Sequence, residues 1–370
     1  MLIAVSDLHM SAGALDDFQN DDHLIELIEN AGDVFSRKAK KGEKKNSFVL
    51  NGDILDIIET PGIDFEAKLK QAYHKHKRVF NALDTLGKKF EVVYIRGNHD
   101  WDVFKTRNIG SVQKLIPNVK ILNKNTDTSK LLGQYIKTKG QYVLKYDDLE
   151  RSGKKIAVHI EHGNQYDEFN NFFHNDPNHP ETSLGTLIVE EITNMLEVFF
   201  PNIDAVEFSD LLEELKISLK KITDDFELDG KKPNVKKSGI FSRISRAVRK
   251  IFDGIDAELT EQRREAKLHL ARTLIDILLS ASDEYVSQAK KIAEKRGRSI
   301  IIFGHTHTEK VKRINPDSLY VNSGTWTKRI RRSESNGLVE TNPRAYIVVN
   351  FNRTMDQNEE DAVRHYNGII

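Results

Sequence analysis

A chain of 370 residues, 38% hydrophobic and 30% charged, has the make-up of a folded globular protein with a heavily charged surface. Its 56 basic and 56 acidic residues cancel, so no global field points to nucleic acid or to an acidic membrane, although local charge still can. With no cysteine, the chain excludes disulfides, thiolate metal sites and a cysteine nucleophile, and any metal must be held by His, Asp, Glu or Asn, which suit harder or borderline ions.

The chain opens MLIAVSDLHM, a short apolar run without a basic lead that passes straight into Asp7. It is not read as a signal peptide. No window approaches the roughly 18 uncharged apolar residues of a membrane span, so the expected location is cytoplasmic. LIAVSD (2–7) reads as a strand. Residues 21–38 carry helical spacing at Leu24, Leu27, Ile28 and Val34. SFVLNGD (47–53) reads as a second strand, 65–87 as one helix ending at Gly87, and FEVVYIRGN (90–98) as a third strand. This β-α-β-α-β order predicts parallel pairing with helices packed on the sheet. Strand signals continue over 119–163, with a hairpin turning near Lys139-Gly140. They return at SIIIFGHTH (299–307), LYVNSGTW (319–326) and AYIVVNFN (345–352).

Between them the pattern changes. Amphipathic helical spacing fills 183–200, 208–222, 240–252 and 266–297, which predicts a helical insertion over 167–296 in a catalytic domain made of 1–166 and 297–370. Residues 204–229 hold nine acids and three lysines; residues 231–252 hold eight Lys or Arg and no acid. These runs suit solvated helix faces, or a basic surface that steers an anionic or lipid-like ligand. The apolar face of 240–252 suits the core of the insertion, or a binding surface.

Five strands end alike. Each delivers an Asp, Asn or His at its C-terminal end: Asp7 and His9, Asp53, Asn98 and His99, His162, then His305 and His307. Gly97, Asn98 and Asp100 would also suit a plain turn, but His99 has no turn role. Ligand sites in open α/β sheets gather at such ends, and residues i and i+2 of an extended segment share a face. Neighbouring glycines allow close backbone approach. Asp7, Asp53, Asn98, His9, His162, His305 and His307 are too many for one tetrahedral ion. They suit two divalent metals about 3.5–4 Å apart with one shared carboxylate, which leaves His99 for acid chemistry. His159 competes with His162, but only His162 follows its strand and precedes a glycine as the other ligands do. His23, His74, His76, His269 and His365 lie in charged or helical settings and are expected at the surface; His174 and His179 are candidates for lining a substrate mouth.

The ordered set D-x-H, G-D, G-N-H-D, H-G and G-H-x-H resembles the calcineurin-like metallophosphoesterase superfamily over residues 1–165 and 297–330. The resemblance implies an α/β fold, an αββα sandwich of two mixed β-sheets flanked by helices. It implies a two-metal hydrolysis of a phosphomonoester, phosphodiester or pyrophosphate bond by metal-bound hydroxide. By position, Asp7, His9 and His307 would hold the first metal and Asp53 would bridge. Asn98, His162 and His305 would hold the second, with His99 as general acid. Asp56 falls where relatives keep an acid that orients this histidine; Asp100 would do the same or cap a helix. Manganese is the first metal to expect, and iron, zinc or nickel also suit the donors. GDILDII lacks the Arg of protein serine/threonine phosphatases. The lipid A pathway hydrolase has a similar insertion but usually carries Arg where this chain has His99. Repair nucleases share GNHD and GHxH and typically pair with an ATPase, so nucleic acid stays open as a partner. A scaffold with an inert site is the alternative to an enzyme. Oligomeric state is not legible.

Overall fold

Runs such as LIAV, SFVLN, EVVYI and SIIIF combine β-branched and aliphatic residues with burial on both faces, the composition of strands enclosed between layers. The computed structural model describes residues 1–13, 16–41, 46–57, 60, 64–123, 126, 131–138, 141–151, 154–167, 284–332, 338–350 and 363–367. In chain order these form β1 (Leu2–Val5), α1 (Asp21–Lys40), β2 (Ser47–Asn51), α2 (Phe65–Lys75), α3 (Lys77–Gly87), β3 (Glu91–Ile95), α4 (Ile109–Leu115) and β4 (Lys120–Ile121). β5 (Gln134–Thr138), β6 (Gln141–Arg151), β7 (Lys154–Ile160), α5 (Glu284–Arg296), β8 (Ser299–Phe303), β9 (Lys310–Asn315) and β10 (Ser318–Asn322) follow. The last are β11 (Arg329–Arg332), β12 (Leu338–Thr341), β13 (Ala345–Val349) and β14 (Val363–Asn367). The helical patterns at 183–200, 208–222 and 240–252, most of that at 266–297, the acidic and basic runs, and His174, His179 and His269 lie outside the described residues.

The chain divides into two compact units, one of Met1–Asn164, Asp283–Lys328 and Asn342–Ile370, the other of Gln165–Ser282 and Arg329–Thr341. In the first unit, one sheet has the order β14-β13-β1-β2-β3-β4 and the other β5-β6-β7-β8-β10-β9. Both are mixed. β1, β2, β3 and β4 run parallel, as do β7, β8 and β10; antiparallel pairs join β13 to β1 and β14 in the first sheet, and β5 to β6, β6 to β7 and β9 to β10 in the second. Leu2, Ala4, Val49, Val93 and Ile95 of the first sheet meet Leu144, Val158, Ile160, Ile300, Ile302 and Val321 of the second in one buried layer. Leu24, Ile28, Phe35, Val79, Phe80 and Leu83 of α1 and α3 cover the other face of the first sheet with Ile3, Val5, Phe48 and Leu50. α5 packs against β8, β9 and β10. This is the expected α/β sandwich of two mixed sheets flanked by helices. At the strand starts, Glu91 ties the sheets together: it accepts from Ser47 Oγ at 3.1 Å, from Tyr146 OH at 3.4 Å and from Leu132 N at 2.8 Å, and pairs with Lys120 Nζ at 3.1 Å. The hairpin expected near 139–140 joins β5 to β6, with Thr138 opposite Gln141.

The single helix expected over 65–87 is two. α2 ends and α3 begins at His76, whose φ of −103° and ψ of 23° leave the helical range. His76 was expected at the surface and is instead fully buried. Its Nε2 lies 2.9 Å from Asp16 Oδ2 and 3.1 Å from Ser11 O, and its Nδ1 lies 2.9 Å from Asp21 Oδ1. A ring with carboxylates at both nitrogens is held as the imidazolium. Burial disfavours that charge, but Asp16 and Asp21 outweigh it and raise the His76 pKa to about 9.

The pKa is raised on folding, so the stabilisation is complete below about pH 6.5 and is lost as pH rises through about 9, a span worth about 3 kcal/mol. Urea unfolding should therefore show wild type losing stability relative to His76→Gln between these pH values. A difference that stays constant with pH would contradict the assignment.

Candidate metal centre

The parallel strands β1, β2 and β3 of one sheet and β7 and β8 of the other deliver their C-terminal ends to one place. Three of the turns that follow leave the ordinary backbone regions. Asp7 (φ 53°), His9 (50°), Asp53 (52°), His305 (70°) and His307 (51°) are the non-glycine residues with positive φ among those described. The expectation had been an extended segment with i and i+2 on one face. Each D-x-H or H-x-H pair converges instead through two left-handed residues, a conformation that Asp and His tolerate better than most but that still costs about 1–3 kcal/mol each. Backbone bonds hold the strained turns: Asp7 N to Gly52 O at 3.0 Å, His9 N to Asp53 O at 2.9 Å, and Trp326 N to Asp7 O at 3.1 Å.

Two sets of donor atoms result. Asp7 Oδ1 lies 3.3 Å from His307 Nε2, and His307 Nε2 lies 3.1 Å from His9 Nε2. Asp53 Oδ2 lies 3.9 Å from His9 Nε2 and 2.9 Å from His162 Nε2, and the latter is 3.3 Å from Asn98 Oδ1. His305 joins Asp53 and His162 in a second group of converging ligand atoms. Asp53 Oδ2 thus belongs to both sets. Two ligand atoms each about 2.1 Å from one ion and at right angles are about 3 Å apart, which the spacings from 2.9 to 3.3 Å match, whereas the 3.9 Å between Asp53 Oδ2 and His9 Nε2 corresponds to a wider angle. His162 Nδ1 faces Asn51 O at 2.9 Å, so the ring directs Nε2 at Asp53 and Asn98. A nitrogen lone pair facing two acceptor oxygens is repulsive unless a proton or a cation stands between them. The donor set, all N and O, fits two divalent cations.

The electrostatics follow from burial. Asp7, His9, Asp53, Asp56, Asn98 and His162 are each at most 2% exposed. Burial alone would raise the Asp53 carboxyl, but the charges of His162 and His99 and the His162 hydrogen bond hold it far below the ordinary value. Burial lowers the His162 pKa, and Asp53 and Asp7 outweigh this and raise it to about 9. Without a cation, a proton on His162 offsets the carboxylates; a cation competes with that proton.

Beside the ligands stands a second arrangement. Asp56 Oδ2 accepts from His9 Nδ1 at 3.0 Å and from His99 Nδ1 at 2.8 Å. One carboxylate oxygen therefore orients a ligand ring and the proposed acid together. Burial raises the Asp56 carboxyl, and the His99 charge and the His9 hydrogen bond bring it well below its usual value. Asp100 does a different job from the one expected of it. Its carboxylate accepts from the backbone N–H groups of Asp53 (2.6 Å), Ile54 (3.1 Å), Leu55 (3.0 Å) and Gly97 (3.0 Å), and from Tyr94 OH. It shapes the loop that carries Asp53. Burial and the Asp53 charge push the Asp100 carboxyl up to about 6, and its donors keep it from rising further.

All ten residues singled out from the sequence meet here. His159 does not: it pairs with Glu161 Oε1 at 3.0 Å, on the face of β7 opposite Val158 and Ile160. Sequence reasoning missed the support beneath Asp7. Ser6 Oγ donates to Asp7 Oδ2 and contacts Ser323 Oγ at 2.5 Å, Thr325 Oγ1 donates to Asp7 O at 2.8 Å, and Asn322 Nδ2 donates to Gly304 O at 2.6 Å. NSGTW repeats the rule that marked the ligands, a polar and glycine-bearing stretch after an apolar strand, and extending that rule would have found it.

A sequence model of calcineurin-like phosphoesterases matches residues 2–219, and the chain belongs to that family. It is a hydrolase of phosphoester bonds. No curated protein matches in a sequence comparison. Among solved structures, a dimetal phosphatase from Danio rerio is similar at 11% identity over 88% of this chain and 87% of that one, with a TM-score of 0.32, too low to carry an argument. No helix among the described residues is long and apolar enough to cross a membrane.

Gly97 offers a direct test. A Cβ there would overlap Asp53 Oδ1 and stand 2.5 Å from Asp53 N. Gly97→Ala should cut the bound metal, measured by inductively coupled plasma mass spectrometry, by at least half. Full metal content in that variant would contradict a bridging Asp53.

Proposed function

We propose that the protein hydrolyses a phosphomonoester, phosphodiester or pyrophosphate bond at a two-metal site in which Asp53 is shared. The observation that carries this reading is the position of Asp53 Oδ2 between His162 Nε2 at 2.9 Å and His9 Nε2 at 3.9 Å. Asp7, His9 and His307 would hold one divalent ion, and Asn98, His162 and His305 the other. Manganese is the first candidate; iron, zinc and nickel suit the same donors. Such ions supply Lewis-acid charge to phosphoryl oxygens and lower the pKa of water.

The chain's own groups do the rest. His99 is the proton donor to the leaving oxygen. Asp56 accepts from its Nδ1, fixes the ring and favours the doubly protonated form, which leaves the Nε2 proton to give. The His99 backbone N–H donates to Asp53 Oδ1 at 2.8 Å, so the acid and the shared ligand move as one piece. Catalysis therefore comes from placing charge and a proton in a dry crevice. Selection among substrates is assigned to the insertion, residues 167–296, on its length and uneven charge.

The test is turnover of p-nitrophenyl phosphate and bis-p-nitrophenyl phosphate by protein stripped of metal and reloaded with Mn²⁺. Metal-dependent hydrolysis of either is expected, and the faster one separates monoesterase from diesterase. His99→Ala should retain both metals and lose about 10²–10⁴-fold in turnover. Undiminished turnover in that variant would remove His99 from the mechanism.

A further inference from the structure

The buried charge of His76 takes no direct part in the chemistry, yet its bonds run toward the site. Held as the imidazolium, it donates from Nδ1 to Asp21 Oδ1 at 2.9 Å and from Nε2 to Asp16 Oδ2 at 2.9 Å and Ser11 O at 3.1 Å. Lys75 Nζ also pairs with Asp16. The other oxygen of Asp16 turns back and accepts from Ser11 N at 3.3 Å and Phe18 N at 3.1 Å. Both backbone polar groups of Ser11 are therefore held by side chains, its N–H by Asp16 and its carbonyl by His76.

Ser11 stands two residues after the ligand His9. Between them, Met10 donates to Ile54 O and accepts from Asp56 N, each at 3.0 Å, in a parallel bridge to Leu55. Asp56 is the residue whose Oδ2 accepts from both His9 and His99. The path from His76 to that oxygen is short: Ser11 O, the backbone bond between Met10 and Asp56, then the Asp56 side chain. The far end of the same segment reaches the other side of the Asp7–His9 turn. Phe18 meets the His76 ring edge-on, with centroids 5.4 Å apart, and bridges Thr327, and the neighbouring Trp326 N donates to Asp7 O at 3.1 Å. Ser11, Asp16, Asp17, Phe18 and Asn20 are buried, but the described residues of 11–20 form no helix and no strand beyond that one bridge. Irregular buried backbone has no ladder to fix its register and depends on bonds of this kind.

We propose that His76 is a positioning residue for catalysis: by holding Ser11 O it fixes the contact between Met10 and Asp56, and so the place from which Asp56 presents the acid His99 to the leaving oxygen. This rests on the two-metal reading with His99 as proton donor, and deepens it. Proton donation is sensitive to geometry, because the donor must come within about 2.6–3.2 Å of the oxygen it protonates. A displacement of about 1 Å is enough to cost up to ~100-fold. A tie that served the fold alone would lower stability and leave the response to the leaving group unchanged.

The experiment compares kcat for matched phenyl and p-nitrophenyl phosphate esters, with full-length protein at saturating Mn²⁺. Phenol, with a pKa of about 10 like the tyrosine side chain, leaves readily only with a proton, whereas p-nitrophenolate is a much weaker base and leaves without one. His76→Gln should lower kcat for the phenyl ester about tenfold more than for the p-nitrophenyl ester. Introduced into His99→Ala, the same substitution should cause no further loss, as expected for two residues that act through one step. Equal losses on both esters, or the same loss with and without His99, would overturn the proposal. If thermal melting shows that His76→Gln does not fold, Asp21→Asn takes its place: it weakens the grip on Nδ1 from a half-buried position, and the same two comparisons decide. Undiminished turnover in His99→Ala alone sinks the site reading and this inference with it. Lost turnover in His99→Ala, with no selective effect of His76→Gln, sinks this inference and leaves the site reading standing.

Discussion

The centre depends on one oxygen. Asp53 Oδ2 faces His162 on one side and His9 on the other, in a space with almost no access to water. A buried carboxylate shared by two sets of imidazoles is expensive to assemble unless positive charge is bound there. Much of the surrounding architecture keeps this oxygen in place. Asp100 collects the backbone donors of Asp53, Ile54 and Leu55, and so fixes the turn that carries Asp53. Gly97 leaves room for the Asp53 carboxylate, and His99 N binds its other oxygen.

The same constraint links the two sheets. Asp7, after β1, accepts from His305 N, after β8, at 3.0 Å. Asn51 of β2 donates to Glu161 O at 3.1 Å, next to His162. Neither sheet carries all of the candidate donors, which come together only where the strand ends meet. The apolar layer between the sheets, with Glu91 tying them at the opposite end, sets the spacing at which those ends meet. Packing far from the site therefore acts on it through geometry, in a crevice where a displacement of about 1 Å is enough to matter.

Much of this was legible in the sequence, and the reason is chemical. Asp, Asn and His recur after apolar strands, and parallel strands bring such ends together, so the convergence of the candidate donors and the sandwich follow from residue type and order. What stayed hidden depends on conformation or on distant partners. Left-handed backbone at Asp7, His9, Asp53, His305 and His307 has no signature beyond residue type. His76 sits in a run of lysines and histidines that reads as a polar helix face; its partners Asp16 and Asp21 lie some sixty residues away in sequence. Asp100 stands next to His99 and was expected to orient it or to cap a helix, whereas the fold turns its carboxylate to the backbone amides of Asp53, Ile54, Leu55 and Gly97. β9 has only Val311 and Ile314 as apolar residues, and an edge strand exposed along its length needs no more.

The central claim is that two ions share Asp53. Crystals grown with Mn²⁺ and measured at the manganese absorption edge test it most directly. The account predicts two anomalous peaks about 3.5–4 Å apart with Asp53 Oδ2 between them. One flanked by Asp7, His9 and His307, and the other by Asn98, His162 and His305. A single peak, or two peaks with Asp53 bound to only one, would contradict it.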